Sequence, residues 1–251
     1  MKKILLYKDM AEYDCATAMA IDEMLLKKIE NEKEQIIRIY TLKEPAITIG
    51  KNQRYNSLNN EYCKKNKIEI VRRITGGSGV FHKNDILISG FFLNKKNEHN
   101  EIKIFFPTII KKILTNTNLY IKKNNEEIKE CQIKEINYRI KTDCFSVAIK
   151  NELVYNNAKI YGIAFYITKN IVMAQSSLQL KSNLERRDIF NEKELEEFDL
   201  RIEREFFINE FVRLLNKEYK VEEKKINEKE RKEVEEIKEE RYKSKIWTMK
   251  K

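Results

Sequence analysis

At 251 residues, 41% of them hydrophobic and 36% charged, the chain has apolar material for one core beneath a heavily charged surface, since single cores stop growing at about 250–300 residues. Its net charge of +10 attracts polyanions without choosing among nucleic acid, an anionic membrane and an acidic protein. The cysteines Cys15, Cys63, Cys131 and Cys144 form no C-x-x-C pair, which argues against a zinc knuckle or a disulfide framework, and the apolar run over residues 4–7 is too short for a signal segment or a membrane span. A cytoplasmic protein with no metal site and no membrane partner is the expectation.

Along residues 17–29, Ala18, Ile21, Met24, Leu25 and Ile29 recur at three- and four-residue spacing and predict an amphipathic helix, with Asp14 or Thr17 as N-cap. Residues 36–42 and 46–49 are β-rich runs on either side of a turn at Pro45, and 68–74 and 86–93 are strands flanking a glycine cluster. Residues 102–114 are apolar at helical spacing, with Pro107 in the first turn or marking the helix start. Short β-type segments follow at 133–140, 145–149, 152–155, 159–167 and 171–180, with Asn156-Asn157 as a tight hairpin turn. From about residue 191 the pattern turns helical: Phe206, Phe207, Phe211, Leu214 and Leu215 form a stripe, and 221–241 is dense in Glu and Lys at helical spacing. No repeat and no linker interrupts this order, so residues 1–251 read as a single domain of α+β class, a mostly antiparallel β-sheet flanked by helices.

Two segments carry chemistry. Arg72, Arg73, Gly76, Gly77, Ser78 and His82 lie in a strand that runs into a glycine-rich loop and out again. Glycines let backbone N–H groups approach a ligand and arginines meet anions. The same residues also suit a plain hairpin turn, and they form neither a P-loop nor a dinucleotide fingerprint. In the second segment Cys144-Phe145 precedes Glu152-Leu153 and then Lys159-Ile160-Tyr161-Gly162-Ile163-Ala164. A thiolate accepts acyl groups as thioesters, and a lysine ammonium favours the thiolate or polarises the thioester carbonyl. Read alone, a cysteine such as Cys144 is more often an inert, half-buried strand cysteine and a lysine such as Lys159 more often a solvated strand lysine. His82 and His99 are the two histidines; His99 falls in a polar stretch read as a loop, and His82 suits either the lining of a site or loop packing.

Together these segments resemble the catalytic domain shared by lipoate–protein ligases, octanoyltransferases and biotin–protein ligases. Ala18-Met19-Ala20-Ile21-Asp22-Glu23 is similar to that family's opening helix motif, the segment from Pro45 to Gln53 to its strand-to-loop segment, and Arg72 to His82 to its R-R-x-T-G-G-G-A-V-x-H box. Lys159 falls on the lysine of the K-I-x-G-x-A box, and Tyr242 to Trp247 resembles the tail of the bacterial transferases. The order C-F, E-L, K-I-x-G is that of the cysteine-dependent octanoyltransferases, the LipM type, whereas ligases that activate lipoate with ATP more typically carry N-D where Glu152-Leu153 falls. The departures are Ser78 and Gly79 for glycine and alanine, Ile163 for serine, and Gln175-Ser176-Ser177-Leu178 for H-G-S/T-L.

The resemblance implies a class II synthetase-like fold and an octanoyltransferase that moves an octanoyl group from octanoyl-acyl carrier protein through a Cys144 thioester to a lysine of a lipoyl domain. The acceptor would be an H protein or a 2-oxo-acid dehydrogenase acyltransferase subunit. It implies Cys144 and Lys159 as catalytic residues, Arg72, Arg73, Gly76, Gly77, Ser78, His82, Gly162 and Ala164 as substrate-binding residues, and no cofactor. The alternatives are a lipoate–protein ligase subunit that uses ATP and Mg with lipoate, and an amidotransferase between lipoyl domains. Nucleic-acid binding is not expected, because the C-terminal Lys and Arg alternate with Glu and no recognition motif accompanies them.

Overall fold

The computed structural model describes residues 2–94, 99–116, 129–130, 142–146, 152–192 and 195–250, with backbone alone at 99–100, 116 and 129–130. The chain runs β1 (Lys3–Tyr13), α1 (Cys15–Glu32), β2 (Gln35–Leu42), β3 (Ala46–Ile49), α2 (Asn60–Lys65), β4 (Glu69–Arg72), β5 (Val80–His82) and β6 (Asp85–Leu93). It continues through α3 (His99–Asn116), β7 (Lys129–Glu130), β8 (Leu153–Tyr155), β9 (Ala158–Ile167), β10 (Ile171–Gln179), α4 (Arg186–Phe190), α5 (Arg204–Glu218), β11 (Lys220–Lys224), α6 (Glu228–Ile237) and α7 (Lys245–Thr248). Among the described residues an eight-stranded sheet has the order β11-β1-β2-β6-β10-β9-β8-β7, and a second, three-stranded sheet the order β4-β3-β5. In the large sheet only β11-β1 and β1-β2 pair in parallel, so the expected α+β class with a mostly antiparallel sheet is what forms.

Strand alternation explains how this sheet is buried on both faces. In β1, Ile4 and Leu6 face one core with α3 and α5, through Phe106, Ile110, Phe207 and Phe211. Leu5 and Tyr7 face the other core with α1 and α6, through Ile21, Met24, Leu25 and Val234. Helix α1 begins where the Asp14 carboxylate accepts the Thr17 N–H at 2.7 Å, and it ends on Lys33 in the left-handed region. Asn156 and Asn157 have φ of 48° and 62°, which suits the expected tight hairpin between β8 and β9.

Four expectations are corrected. Residues 220–224 are a strand, not helix: β11 pairs with β1 from Lys3↔Lys220 to Tyr7↔Lys224, and Lys3–Glu222 and Lys8–Glu223 ion pairs of 2.9 and 2.8 Å join the strands. The Glu/Lys density there serves cross-strand pairing, and helix resumes only at α6, where Asn227 and Glu230 form a capping box. Pro107 lies well inside α3 and not at its start. Losing its hydrogen bond costs about 3 kcal/mol, which burial of Phe106, Ile110, Ile113 and Leu114, all at most 1% exposed, outweighs at about 1.5–3 kcal/mol each. That longer helix takes in His99, which opens α3 and is not a loop residue. Finally, Cys144–Ser146 is a 3₁₀ turn and not the start of a strand, because the Asp143 carboxylate accepts the Phe145 N–H at 2.9 Å. Residues 133–140, Cys131 and 147–149 lie outside the described residues. Among the described residues no helix is long and apolar enough to cross a membrane.

The centre of the large sheet holds a charge. Arg38 of β2 is fully buried, and its guanidinium donates to Asp9 at 2.7 Å, Asp22 at 2.8 Å and the Ala18 carbonyl at 2.7 Å. Burial opposes that charge, but the two carboxylates hold the guanidinium above its ordinary pKa. Arg38→Met should therefore destabilise the protein by about 3–5 kcal/mol, read from urea denaturation, by leaving two carboxylates inside without their cation. Adding Asp22→Asn to that variant should recover part of the loss.

Candidate active site

The site forms where the glycine loop crosses the middle of β9 and β10. Antiparallel register sets Gly162 opposite Ser177, Ile163 opposite Ser176 and Ala164 opposite Gln175. Between β4 and β5 the loop folds back on residue 50 so closely that a Cβ at Gly50 would stand 1.8 Å from the Gly77 carbonyl oxygen, while Gly77 takes φ of 88°. Arg73 lies beneath it. Its guanidinium donates to the carbonyls of Gly76 and Ser78 at 2.6 and 2.9 Å, to the Thr48 carbonyl at 3.2 Å and to the Thr75 hydroxyl at 3.0 Å. Burial pushes its pKa down to about 10, so it remains a cation at neutral pH.

The loop exit carries the cysteine with it. Gly79 N–H donates to the Thr142 carbonyl at 2.9 Å and Cys144 N–H to the Gly79 carbonyl at 2.8 Å. Next to the cysteine, buried Asp143 meets Arg186 at 2.6 Å, and burial holds the Asp143 carboxyl above its usual value although Arg186 opposes the rise. Phe145 packs with Lys159 Nζ at 5.5 Å and the Arg186 guanidinium carbon at 5.4 Å from its ring centre. This fixes the direction of Cys144.

Lys159 Nζ lies 3.5 Å from Cys144 Sγ, 2.7 Å from the Cys144 carbonyl oxygen and 2.7 Å from Glu152 Oε2. Lys159 and Glu152 are both buried. Burial lowers the lysine pKa, but Cys144 and Glu152 together outweigh it and raise it above the ordinary value. The ammonium therefore persists beside the sulfur. Gly162 leaves room for the pair, since a Cβ there would stand 3.2 Å from Lys159 Cε and 3.3 Å from Cys144 Sγ. Cys144 is half-buried and reachable, whereas Cys15 and Cys63 are buried, and burial pushes their thiol pKa values up.

A narrow pocket opens from Cys144 and Gly162. Met19 of α1, Val80 of β5, Leu87 of β6 and Ile163 of β9 give it apolar walls. Thr48, Arg73, His82 and Gln175 add polar groups. Of the residues singled out in the sequence, Cys144, Arg73, His82, Gly162 and Ala164 line this pocket, Lys159 stands beside Cys144, and Gly76, Gly77 and Ser78 form the loop against it. Arg72 is elsewhere: its guanidinium takes the carbonyls of Gly50 and Gln53 at 2.8 and 2.6 Å and those of Thr248 and Lys250 at 2.8 and 2.9 Å. His99 opens a helix on the opposite face of the sheet. Sequence reasoning passed over Asp143, Asp85 and Thr48. It used Glu152 only as a marker of order, although a carboxylate beside the apolar run Leu153 to Tyr155 is itself a sign of a buried partner.

Residues 14–251 match the family described as the lipoyl protein ligase A/B catalytic domain. The chain is 25% identical over 179 residues to octanoyltransferase LipM of Clostridioides difficile, covering 69% of this chain and 65% of that protein. It is 28% identical over 176 residues to octanoyltransferase LipM of Oceanobacillus iheyensis, covering 68% and 62%. Lipoate-protein ligase LplJ of Bacillus subtilis is 24% identical over 170 residues, covering 66% of this chain and 43% of LplJ. The matches thus span less than two thirds of these relatives. Among solved structures, protein Ta0514 of T. acidophilum with bound lipoic acid superposes with a TM-score of 0.81 at 19% identity over 99% of both chains. Lipoate-protein ligase A bound with ATP does so with a TM-score of 0.77 at 17% identity, over 99% of this chain and 98% of that one. By fold and by sequence, the chain belongs to the lipoyl protein ligase A/B catalytic domain family.

Proposed function

We propose that this protein is an octanoyltransferase that carries the acyl group on Cys144. The observation that supports it is the contact of Cys144 Sγ with the buried Lys159 ammonium at 3.5 Å, at the mouth of a pocket with apolar walls. In the first half-reaction the Cys144 thiolate attacks the thioester carbonyl of octanoyl-acyl carrier protein. The carrier thiolate leaves and takes a proton, and the octanoyl group remains as a Cys144 thioester. In the second, the amine of a lipoyl-domain lysine attacks that thioester, an amide forms and Cys144 is released. Lipoyl domains of an H protein or a 2-oxo-acid dehydrogenase subunit are the acceptors in this reading. Lys159 stabilises both the thiolate and the charge that develops on the carbonyl oxygen, and Glu152 holds it there. The net charge of +10 would steer acidic protein partners toward the enzyme.

Cys144→Ala should abolish octanoyl transfer, and intact-protein mass spectrometry after incubation with octanoyl-acyl carrier protein should show a hydroxylamine-labile adduct on the wild type alone. Retained lipoate attachment by that variant with ATP would assign the chain to the adenylating reaction instead. Lys159→Gln should slow acylation of Cys144 by about 10²–10³-fold, measured in a single turnover. Because Lys159 holds its proton above the ordinary lysine value, its contribution to stability is present at neutral pH and lost as pH rises through the raised value. The wild-type denaturation midpoint should accordingly fall more steeply than that of Lys159→Gln as pH rises above the ordinary lysine value of about 10.4. Ile163→Ala should shift the preferred acyl chain to greater length, with each extra methylene worth up to about 0.8 kcal/mol in kcat/KM, compared across chains of graded length.

A further inference from the structure

The proposed transfer brings a second amine to the thioester. An octanoyl group on Cys144 is meant for a lysine of another protein, yet Lys159 Nζ lies 3.5 Å from Cys144 Sγ. The thioester carbon is one bond from that sulfur, which puts it within reach of Nζ, since reacting atoms meet at about 3–3.5 Å. An amine held in such a place competes at an effective concentration of up to about 10⁵–10⁸ M, far above that of any acceptor protein. A neutral Lys159 would keep the acyl group for itself.

The surroundings of Lys159 are those of a lysine held in its ammonium form. Nζ lies 2.7 Å from Glu152 Oε2 and donates to the Cys144 carbonyl at 2.7 Å. The side chains of Lys159 and Glu152 are 4% and 2% exposed, so solvent screens the pair little. Glu152 arrives there through the pairing of β8 with β9, which sets Leu153 opposite Tyr161 and Val154 opposite Lys159. Burial works against the ammonium, while Cys144 and Glu152 favour it. Acylation takes away the charge on the sulfur and leaves the carboxylate in place. An ammonium has three donors and no lone pair to give, so a protonated Lys159 cannot attack. The other charged groups at this spot are Arg73, which senses Cys144, and the Asp143–Arg186 pair, whose arginine packs on Phe145 as Lys159 does. Neither arginine helps to hold the lysine proton, because each carries the same charge.

We propose that Glu152 guards the acyl-enzyme: its carboxylate stops Lys159 from taking the octanoyl group off Cys144; this rests on the Cys144 thioester proposed above. Without that carboxylate, the lone pair of Lys159 Nζ attacks the thioester carbonyl, the C–N bond forms and the C–S bond breaks. The sulfur leaves as a thiolate and takes the proton that the nitrogen sheds. The products are an octanoyl amide on Lys159 and a free Cys144 thiol. An amide does not return its acyl group to a thiol, so an enzyme modified in this way has lost the cation beside its nucleophile and is spent.

The test follows the fate of the acyl group in the wild type, Glu152→Gln, and Glu152→Gln combined with Lys159→Arg. Each is loaded from octanoyl-acyl carrier protein, freed of donor and held near neutral pH without an acceptor. Hydroxylamine then strips octanoyl held as a thioester and leaves octanoyl held as an amide, which peptide mass spectrometry locates. In Glu152→Gln a hydroxylamine-stable adduct should build up on Lys159 about 10²-fold faster than in the wild type. An opposite charge within about 4–6 Å moves a pKa by about 1–3 units, and each unit is a factor of ten in free base. The combined variant, which has no amine at 159, should stay labile. A Glu152→Gln acyl-enzyme as labile as the wild type would overturn the guard, as would a stable adduct on any lysine other than Lys159. Should Glu152→Gln fail to fold or to load, the wild type decides: between about pH 7 and about pH 9 its acyl-enzyme should turn stable on Lys159 progressively faster, as the free base grows. Lys159→Arg should show no such rise, and its absence from the wild type would overturn the guard. A wild type that never acquires an acyl group overturns the Cys144 thioester and the guard together, whereas an acyl-enzyme that stays labile without Glu152 overturns the guard alone.

Discussion

The carboxylate of Asp22 is the point on which the rest of the structure hangs. One oxygen answers Arg38 in the middle of the sheet, and the other accepts Gln175 and Ser89 at 2.7 Å each and Tyr40 at 3.1 Å. Helix α1 is thereby locked against β2, β6 and β10 at once. From Gln175 the chain of contacts runs through Thr75 at 2.7 Å to Arg73, and from Arg73 into the carbonyls of the glycine loop. An unmet charge here is costly, and a complete network is rigid. The loop that positions Cys144 thus inherits its shape from an ion pair on the far side of the pocket.

Adjacent arginines in this fold do unrelated work. Successive side chains of a strand point to opposite faces, and β4 ends at Arg72. Arg72 therefore turns toward residues 50–53 and 247–250, while Arg73 turns under the glycine loop. The resemblance treats the pair as one motif. The backbone separates it into a clasp for two distant segments and a support for the site.

What the sequence shows and hides follows from the range of the forces involved. Ala46–Ile49 and the Asn156-Asn157 turn were legible because local propensity and backbone conformation decide them. β11 was not, because a Glu/Lys-rich segment becomes a strand only when β1 offers it an edge. Pro107 misled because the gain from burial lies on other elements. At the site, the order of Cys144, Glu152 and Lys159 was visible, but the bonds that join them depend on how β8 and β9 pair. Thr48, His82 and Asp85 come from three strands, and Asp143 meets an arginine far along the chain. No spacing rule reaches that far.

The clasp made by Arg72 has a consequence for how the protein is born. Its carbonyl acceptors at Trp247 and Thr248 lie 175 and 176 positions further along the chain, and β1 likewise waits for β11. During synthesis, a ribosome must deliver nearly all of this domain before the cation that ends β4 can be buried with its partners. The segment at 50–53, held by the same guanidinium, therefore settles late, once the carbonyls at 247–250 have arrived.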